Sequence, residues 1–234
     1  MDSTTKNKIN ISELFDNISP KYDLLNHLLT LNIDKIWRKK TVSMISNKKP
    51  LLLDVATGTC DLAIKIIKED KAQLIYGVDI SPKMLSIGKE KVIKEKMNDR
   101  ISLFEGDSCK LDFKDNTFDC VTVAFGVRNF SDFNQGLNEI YRVLKQDGEF
   151  IVLEFSLPKN KLIKNIYMIY FNQILPVVGR MISKDNKAYT YLPKSVERFI
   201  YGEKFKNKLI EKGFSDVEIK TLSCGIATIY KAKK

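Results

Sequence analysis

Leu51-Leu52-Leu53-Asp54-Val55-Ala56-Thr57-Gly58-Thr59 is the stretch that decides how this chain is read. Its apolar start has the length of a buried strand, and it ends in small, turn-forming residues. Leu62, Ala63, Ile66 and Ile67 follow at helical spacing, so residues 61–69 are expected to form a helix. The same alternation continues downstream. Residues 74–78 read as a second strand, and Ser81-Pro82 opens a helix with serine as cap and proline in the first turn. Residues 101–104 and 118–124 read as third and fourth strands, 133–144 as a helix and 148–155 as a fifth strand. Strands alternating with helices imply a parallel sheet with helices on both faces.

The end of the chain breaks that pattern. Residues 214–222 and 226–231 are strand-like and are separated by Ser223-Cys224-Gly225, which predicts a hairpin and an antiparallel edge. A dinucleotide dehydrogenase would continue with parallel units instead. A mostly parallel, seven-stranded α/β sheet closed by a C-terminal antiparallel hairpin is the Rossmann-like class I methyltransferase arrangement. Two segments lie outside this core, 11–47 ahead of the first strand and 156–202 before the hairpin. Both read as helical lids over a substrate. No Gly/Ser-rich linker divides the chain, so residues 1–234 are expected to form one domain.

Ligands of open α/β sheets bind beyond the carboxyl ends of the strands. Three acids fall there. Asp54 closes the first strand, and Gly58 lets the following backbone approach a ligand closely. Asp79 closes the second strand, where a carboxylate can accept both hydroxyls of a ribose. Asp107, in Gly106-Asp107-Ser108, follows the third strand, within reach of an adenine amino group. The loop carries no lysine, which a phosphate site would want. Acidic surroundings suit the cationic sulfonium of S-adenosylmethionine and penalise NAD. The expected cofactor set is Asp54, Thr57, Gly58, Asp79, Ile80, Asp107, Ser108 and Ala124. Asp54 and Asp107 also read as plain turn and cap residues.

Composition bounds the remaining classes. The 234 residues are 44% hydrophobic, enough for one substantial core. The four cysteines, Cys60, Cys109, Cys120 and Cys224, are scattered without a CxxC pair and read as reduced thiols. With His27 the only histidine, a histidine-rich metal site is excluded, and no metal is expected. The polar, lysine-rich start lacks the apolar core of a signal peptide, so a cytoplasmic protein is expected. The net charge of +10 suits a solvated basic surface, an anionic membrane or nucleic acid. No nucleic-acid motif accompanies it, and none is expected as partner. A homodimer is left open.

The chain resembles the ubiquinone/menaquinone biosynthesis C-methyltransferases over almost its whole length. The resemblance rests on Lys21-Tyr22-Asp23-Leu24-Leu25-Asn26, Trp37-Arg38, the loop 54–59, Phe125-Gly126-Val127-Arg128-Asn129-Phe130, Leu153-Glu154-Phe155-Ser156 and Tyr191-Leu192-Pro193. It implies methylation of a ring carbon of a reduced, polyprenylated quinol, with a demethylmenaquinol ahead of the ubiquinone-pathway benzoquinol or another lipophilic acceptor. A non-catalytic Rossmann protein binding nucleotide or RNA is the alternative from another class. Two departures stand out: Cys60 replaces the usual third glycine of the loop, and Leu111-Asp112-Phe113 replaces an expected Leu-Pro-Phe.

A quinol hydroxyl that loses its proton places charge on the adjacent carbon, so only the reduced ring is expected to react. Arg128 is the expected stabiliser of that charge, directly or through water, with Asn129 adding a hydrogen bond. The alternative reading of Arg128 is half of a structural ion pair. Tyr22 and Asp23 are expected to close over the site, Asp23 as a base, or else to pack and cap. The run 166–179 carries no charge and is too short to span a bilayer. With Tyr167, Tyr170 and Phe171 near Lys161, Lys164, Arg180 and Lys184, it reads as a membrane-surface segment, a prenyl-tail wall or a core helix kinked at Pro176.

Overall fold

A computed structural model describes residues 10–46, 49–174, 177 and 186–234. Its strands are β1 (Leu51–Val55), β2 (Leu74–Asp79), β3 (Ile101–Glu105), β4 (Phe118–Ala124), β5 (Leu144–Phe155), β6 (Ser215–Leu222) and β7 (Ala227–Lys233). They form one sheet in the order β3-β2-β1-β4-β5-β7-β6. β1 to β5 pair in parallel, and β7 inserts antiparallel between β5 and β6. The expected sheet and its closing hairpin are therefore present.

β1 and β4 occupy the centre, and both are nearly buried throughout. Alternate residues feed two cores, as the period of a strand requires. Leu52, Cys120 and Ile151 pack on one face with Ile66 and Ile75. Leu53, Val121 and Phe150 pack on the other with Leu137 and Ile140. Continuous apolar strands rather than alternating ones follow from this double cover.

Helix α1 (Ile11–Ile18), α2 (Tyr22–Leu29) and α3 (Ile33–Ser43) precede the sheet. α4 (Asp61–Lys68), α5 (Pro82–Lys94) and α6 (Phe133–Val143) connect its strands. Ser81 caps α5 as expected, its Oγ accepting from Met84 N at 3.1 Å, with Pro82 in the first turn. β5 starts earlier than its sequence suggests. Phe118 pairs with Leu144 and Cys120 with Glu149, so the strand runs through a bulge at which Asp147 has φ +62°. That bulge hides the first residues of the strand, of which Leu144 alone pairs, at what reads as a helix end and a loop.

In the segment before the hairpin, α7 (Lys161–Ile169) runs into a π-helical turn, Tyr170–Ile174. Helices Asn186–Arg198 and Glu203–Glu211 follow. Pro176, Gly179, Arg180 and Lys184 lie outside the described residues. Among the described residues no helix is long and apolar enough to cross a membrane.

Candidate active site

The loop after β1 alternates in hand. Ala56, Gly58 and Cys60 have φ +54°, +55° and +68°. Only Gly58 adopts this without strain. A Cβ built on Gly58 meets nothing within 4 Å, so the loop faces open space at that point. The buried carboxylate of Asp54 sits behind it. Its Oδ2 accepts from Thr57 Oγ1 at 2.7 Å and its Oδ1 from Thr122 Oγ1 at 2.6 Å. Burial pushes the Asp54 carboxyl up to about 6.

Asp79 holds the loop from the front. Its Oδ2 accepts from Gly58 N at 2.8 Å and its Oδ1 from Ser81 N at 2.9 Å. Burial raises its carboxyl above the usual range. A carboxylate offers about four acceptor sites, so capacity for a ligand remains. Asp107 is tied similarly, accepting from Cys109 N at 2.8 Å and from Ser131 Oγ at 3.3 Å.

These groups border a cleft lined by Gly58, Asp79, Ile80, Asp107, Ser108 and Ala124, among others. Asn129 also lines it. Asp54 and Thr57 do not: they brace the loop from within. Phe15 and Tyr22, brought by α1 and by the first residue of α2, cover the cleft from the N-terminal side. That segment is fastened to the end of β2, where Ser12 Oγ donates to Ile80 O at 3.0 Å and Ser81 Oγ to Asp16 Oδ1 at 2.6 Å.

No lysine, arginine or histidine is among the described residues lining the cleft. An acidic cleft with an open glycine turn fits S-adenosylmethionine, which carries a cation and no phosphate. Asp79 would hold the ribose hydroxyls and Asp107 would face the base.

A second cavity adjoins the first at Phe15, Tyr22 and Phe125. Leu14, Ile18, Phe155 and Leu192 make it apolar, while Asn26, Thr30, Asp34, Arg38 and Arg128 supply polar groups. Tyr22 sits at the junction, and burial pushes its hydroxyl up. Tyr191, beside Leu192, donates from its hydroxyl to Asn129 Oδ1 at 2.9 Å.

Arg128 lines this second cavity rather than the first. It forms the ion pair that was the alternative reading. Nη1 lies 2.5 Å from Glu154 Oε1, both side chains being buried, and also donates to Phe125 O at 2.6 Å. Nε donates to Ser195 Oγ at 3.3 Å.

Asp23 is not brought to either cavity. Its oxygens are taken by Thr59 Oγ1 at 2.5 Å and Lys91 Nζ at 2.8 Å. It ties α2 to the loop and to α5. Sequence reasoning missed Phe15, Asp34 and Arg38 as lining, and Glu154 as the anchor. Glu154 did leave a signal: a lone acid within the apolar run 150–155.

Cys60 replaces the loop glycine at a structural cost that α5 meets. A Cβ on Gly88 would lie 2.5 Å from Cys60 Sγ. Gly88→Ala is therefore expected to lower stability by about 1–3 kcal/mol through overpacking. Adding Cys60→Gly should recover most of that loss, since glycine also suits φ +68°. Chemical denaturation of the two proteins checks both outcomes.

The fold is that of class I methyltransferases. A SAM-dependent methyltransferase structure from Thermotoga maritima superposes with a TM-score of 0.66 at 17% identity, covering 95% of this chain and 99% of that one. The model of the ubiE/COQ5 methyltransferase family matches residues 2–234, and the chain belongs to that family. A relative from Bacteroides fragilis named demethylmenaquinone methyltransferase is 44% identical over 225 residues, 96% of this chain and 92% of that one. The ubiquinone/menaquinone biosynthesis C-methyltransferase UbiE of Geotalea uraniireducens is 44% identical over 226 residues, 96% of each.

Proposed function

We propose that the protein is an S-adenosylmethionine-dependent enzyme that methylates a ring carbon of a reduced, prenylated quinol, demethylmenaquinol above all. The observation that carries this is the pair of adjoining cavities: an acidic cleft at the strand ends and an apolar chamber with polar groups beside it. The family and the names of the relatives agree with it. S-adenosylmethionine, when bound, supplies an electrophilic methyl group. Asp79, Gly58, Ile80, Asp107, Ser108 and Ala124 would hold it, with Asp54 and Thr57 shaping the loop. The quinol hydroxyl loses its proton to water, and the resulting charge makes the neighbouring carbon nucleophilic. That carbon takes the methyl group, leaving S-adenosylhomocysteine, and then sheds its own ring proton to restore the aromatic quinol. Arg128 stabilises that charge, Asn129 and Tyr22 position the ring at the junction, and the N-terminal and 156–202 segments exclude water.

Methyl transfer to a short-chain demethylnaphthoquinol under reducing conditions, followed by mass, tests the reading. A product heavier by one methylene group is expected from the quinol and none from the quinone. Transfer to neither would overturn it.

The same reading includes collection of the lipid at a membrane surface. Leu162, Ile166 and Ile169 are 69%, 61% and 53% exposed along one stripe of α7, with Lys161 and Lys164 beside them. The buried side of α7 leads inward. Tyr167 stacks on Phe171, whose ring lies 6.3 Å from that of Phe155 in the cavity wall. The protein should sediment with anionic vesicles at low salt, and Leu162→Glu with Ile166→Glu should lose this while keeping its melting temperature. Wild-type protein that stays in the supernatant would remove the membrane from the proposal.

A further inference from the structure

A groove between α3, α4 and α5 shares Arg38 with the second cavity. Its charge is one-sided. Seven lysines and arginines line it against two acids, Asp61 and Glu95. Lys65 and Lys68 are engaged by Glu69 and Glu95, Lys91 by Asp61 and Asp23, and Arg38 by Asp34. Lys35 and Lys39 of α3 and Lys94 of α5 have no acid within ion-pair distance among the described residues. All three are exposed. Like charges gathered along a cleft focus a field that draws anions to it.

The company these lysines keep narrows the anion. Ile36, in the groove wall, is 54% exposed, Ile33 is 36% exposed, and Leu31, in the turn before α3, is 74% exposed. Ile33 and Ile36 stand three residues apart and share a face of the helix. A dissolved phosphate compound gains nothing from such side chains. A single-stranded nucleic acid would want aromatic rings on which to stack its bases, and none lines the groove. Lysines beside exposed aliphatic residues on one helix suit a bilayer surface. There the charges meet headgroups, and the aliphatic side chains enter the boundary beneath them. α3 also walls the second cavity, through Asp34 and Arg38.

We propose that this groove docks the headgroups of an anionic bilayer, with Leu31, Ile33 and Ile36 entering the surface beside it. A helix that walls the second cavity then rests on the membrane in which a prenylated acceptor resides. The docking rests on the acceptor being a membrane lipid. It assigns the recognition of lipid charge to α3 and α5, apart from the aliphatic stripe of α7.

Vesicles of phosphatidylcholine, with and without phosphatidylglycerol, test it by sedimentation. Wild-type protein should bind those holding phosphatidylglycerol about 10- to 100-fold more tightly, each lysine near the surface supplying about fivefold. High salt should abolish the difference. Lys35→Gln with Lys39→Gln and Lys94→Gln should erase it at an unchanged melting temperature. The control is Lys204→Gln with Lys206→Gln and Lys212→Gln. It removes as much charge at the helix Glu203–Glu211, which packs on the other core through Phe205 and Leu209, and should keep most of the preference. Leu31→Ser with Ile36→Ser should weaken binding about 10-fold and keep the salt dependence.

Turnover separates docking from chemistry. The first triple variant should raise KM for a long-chain demethylnaphthoquinol held in anionic vesicles by about the factor lost in binding, with kcat unchanged. It should methylate a short-chain quinol in solution like the wild type. Equal loss of vesicle binding in both triple variants makes the attraction one of overall charge and overturns the groove. So does a wild type that binds both kinds of vesicle alike, or one that ignores vesicles and binds a single-stranded RNA oligomer through these lysines. Methylation of the short-chain quinol in any of these cases leaves the quinol reading standing. Methylation of neither quinol overturns that reading whatever the vesicles show.

Discussion

Asp79→Ala should bind S-adenosylhomocysteine about 100-fold more weakly than the wild type by calorimetry. Two effects combine. The carboxylate is the ribose acceptor under the proposed function, and two hydrogen bonds to a charged group at about 1.5 kcal/mol each amount to roughly that factor. It is also the front brace of the loop, through Gly58 N and Ser81 N. Asp79→Asn separates the two. It keeps one oxygen acceptor, so it should retain the loop in part and lose about 10-fold. A cofactor affinity unmoved by Asp79→Ala would place the ribose elsewhere.

Glu154→Ala should be the most destabilising single change near the site. It leaves the Arg128 guanidinium buried without its counter-charge, and breaking one side of a buried pair costs about 3–5 kcal/mol. For a chain of this size that lowers the melting temperature by about 10 °C. Arg128→Met should be similarly destabilising, because Glu154 is then buried alone. The double variant Arg128→Met with Glu154→Leu should recover most of the stability, since apolar side chains can replace a buried pair at little cost. Its turnover should still fall by at least about 100-fold if Arg128 stabilises the phenolate, as loss of such a donor does elsewhere. Full turnover in the double variant would leave Arg128 as a purely structural residue. Scanning calorimetry and the methyl-transfer assay read the two halves separately.

Most of the sheet was legible because its signals are local. β1 and β4 are apolar runs bounded by turn residues, and the observed strands match the expected ones at both ends. The start of β5 was not legible, because a bulge with a left-handed Asp147 places polar Lys145 and Gln146 in a strand. Nor does anything in the sequence mark Ala56 as left-handed, since its conformation is imposed by the turn between β1 and α4. The first cleft lies at the strand ends, where position along the chain and position in space coincide. The second cavity was not. Its walls come from α1, α2, α3 and the helix Asn186–Arg198, whose approach to Phe125 and Phe155 depends on tertiary packing. Asp23 misled for the same reason: it neighbours Tyr22 in sequence, but on a helix the next residue points elsewhere.

Phe15, Tyr22 and Phe125 belong to the walls of both cavities. Whatever order one ligand imposes on these three rings is therefore already in place when the other arrives. Under the proposed function, donor and acceptor share a partition, and any coupling through it is reciprocal: the factor by which the donor tightens the acceptor is the factor by which the acceptor tightens the donor. On that reading, a coupling present before methyl transfer extends to the departures, and the two products leave as interdependent events.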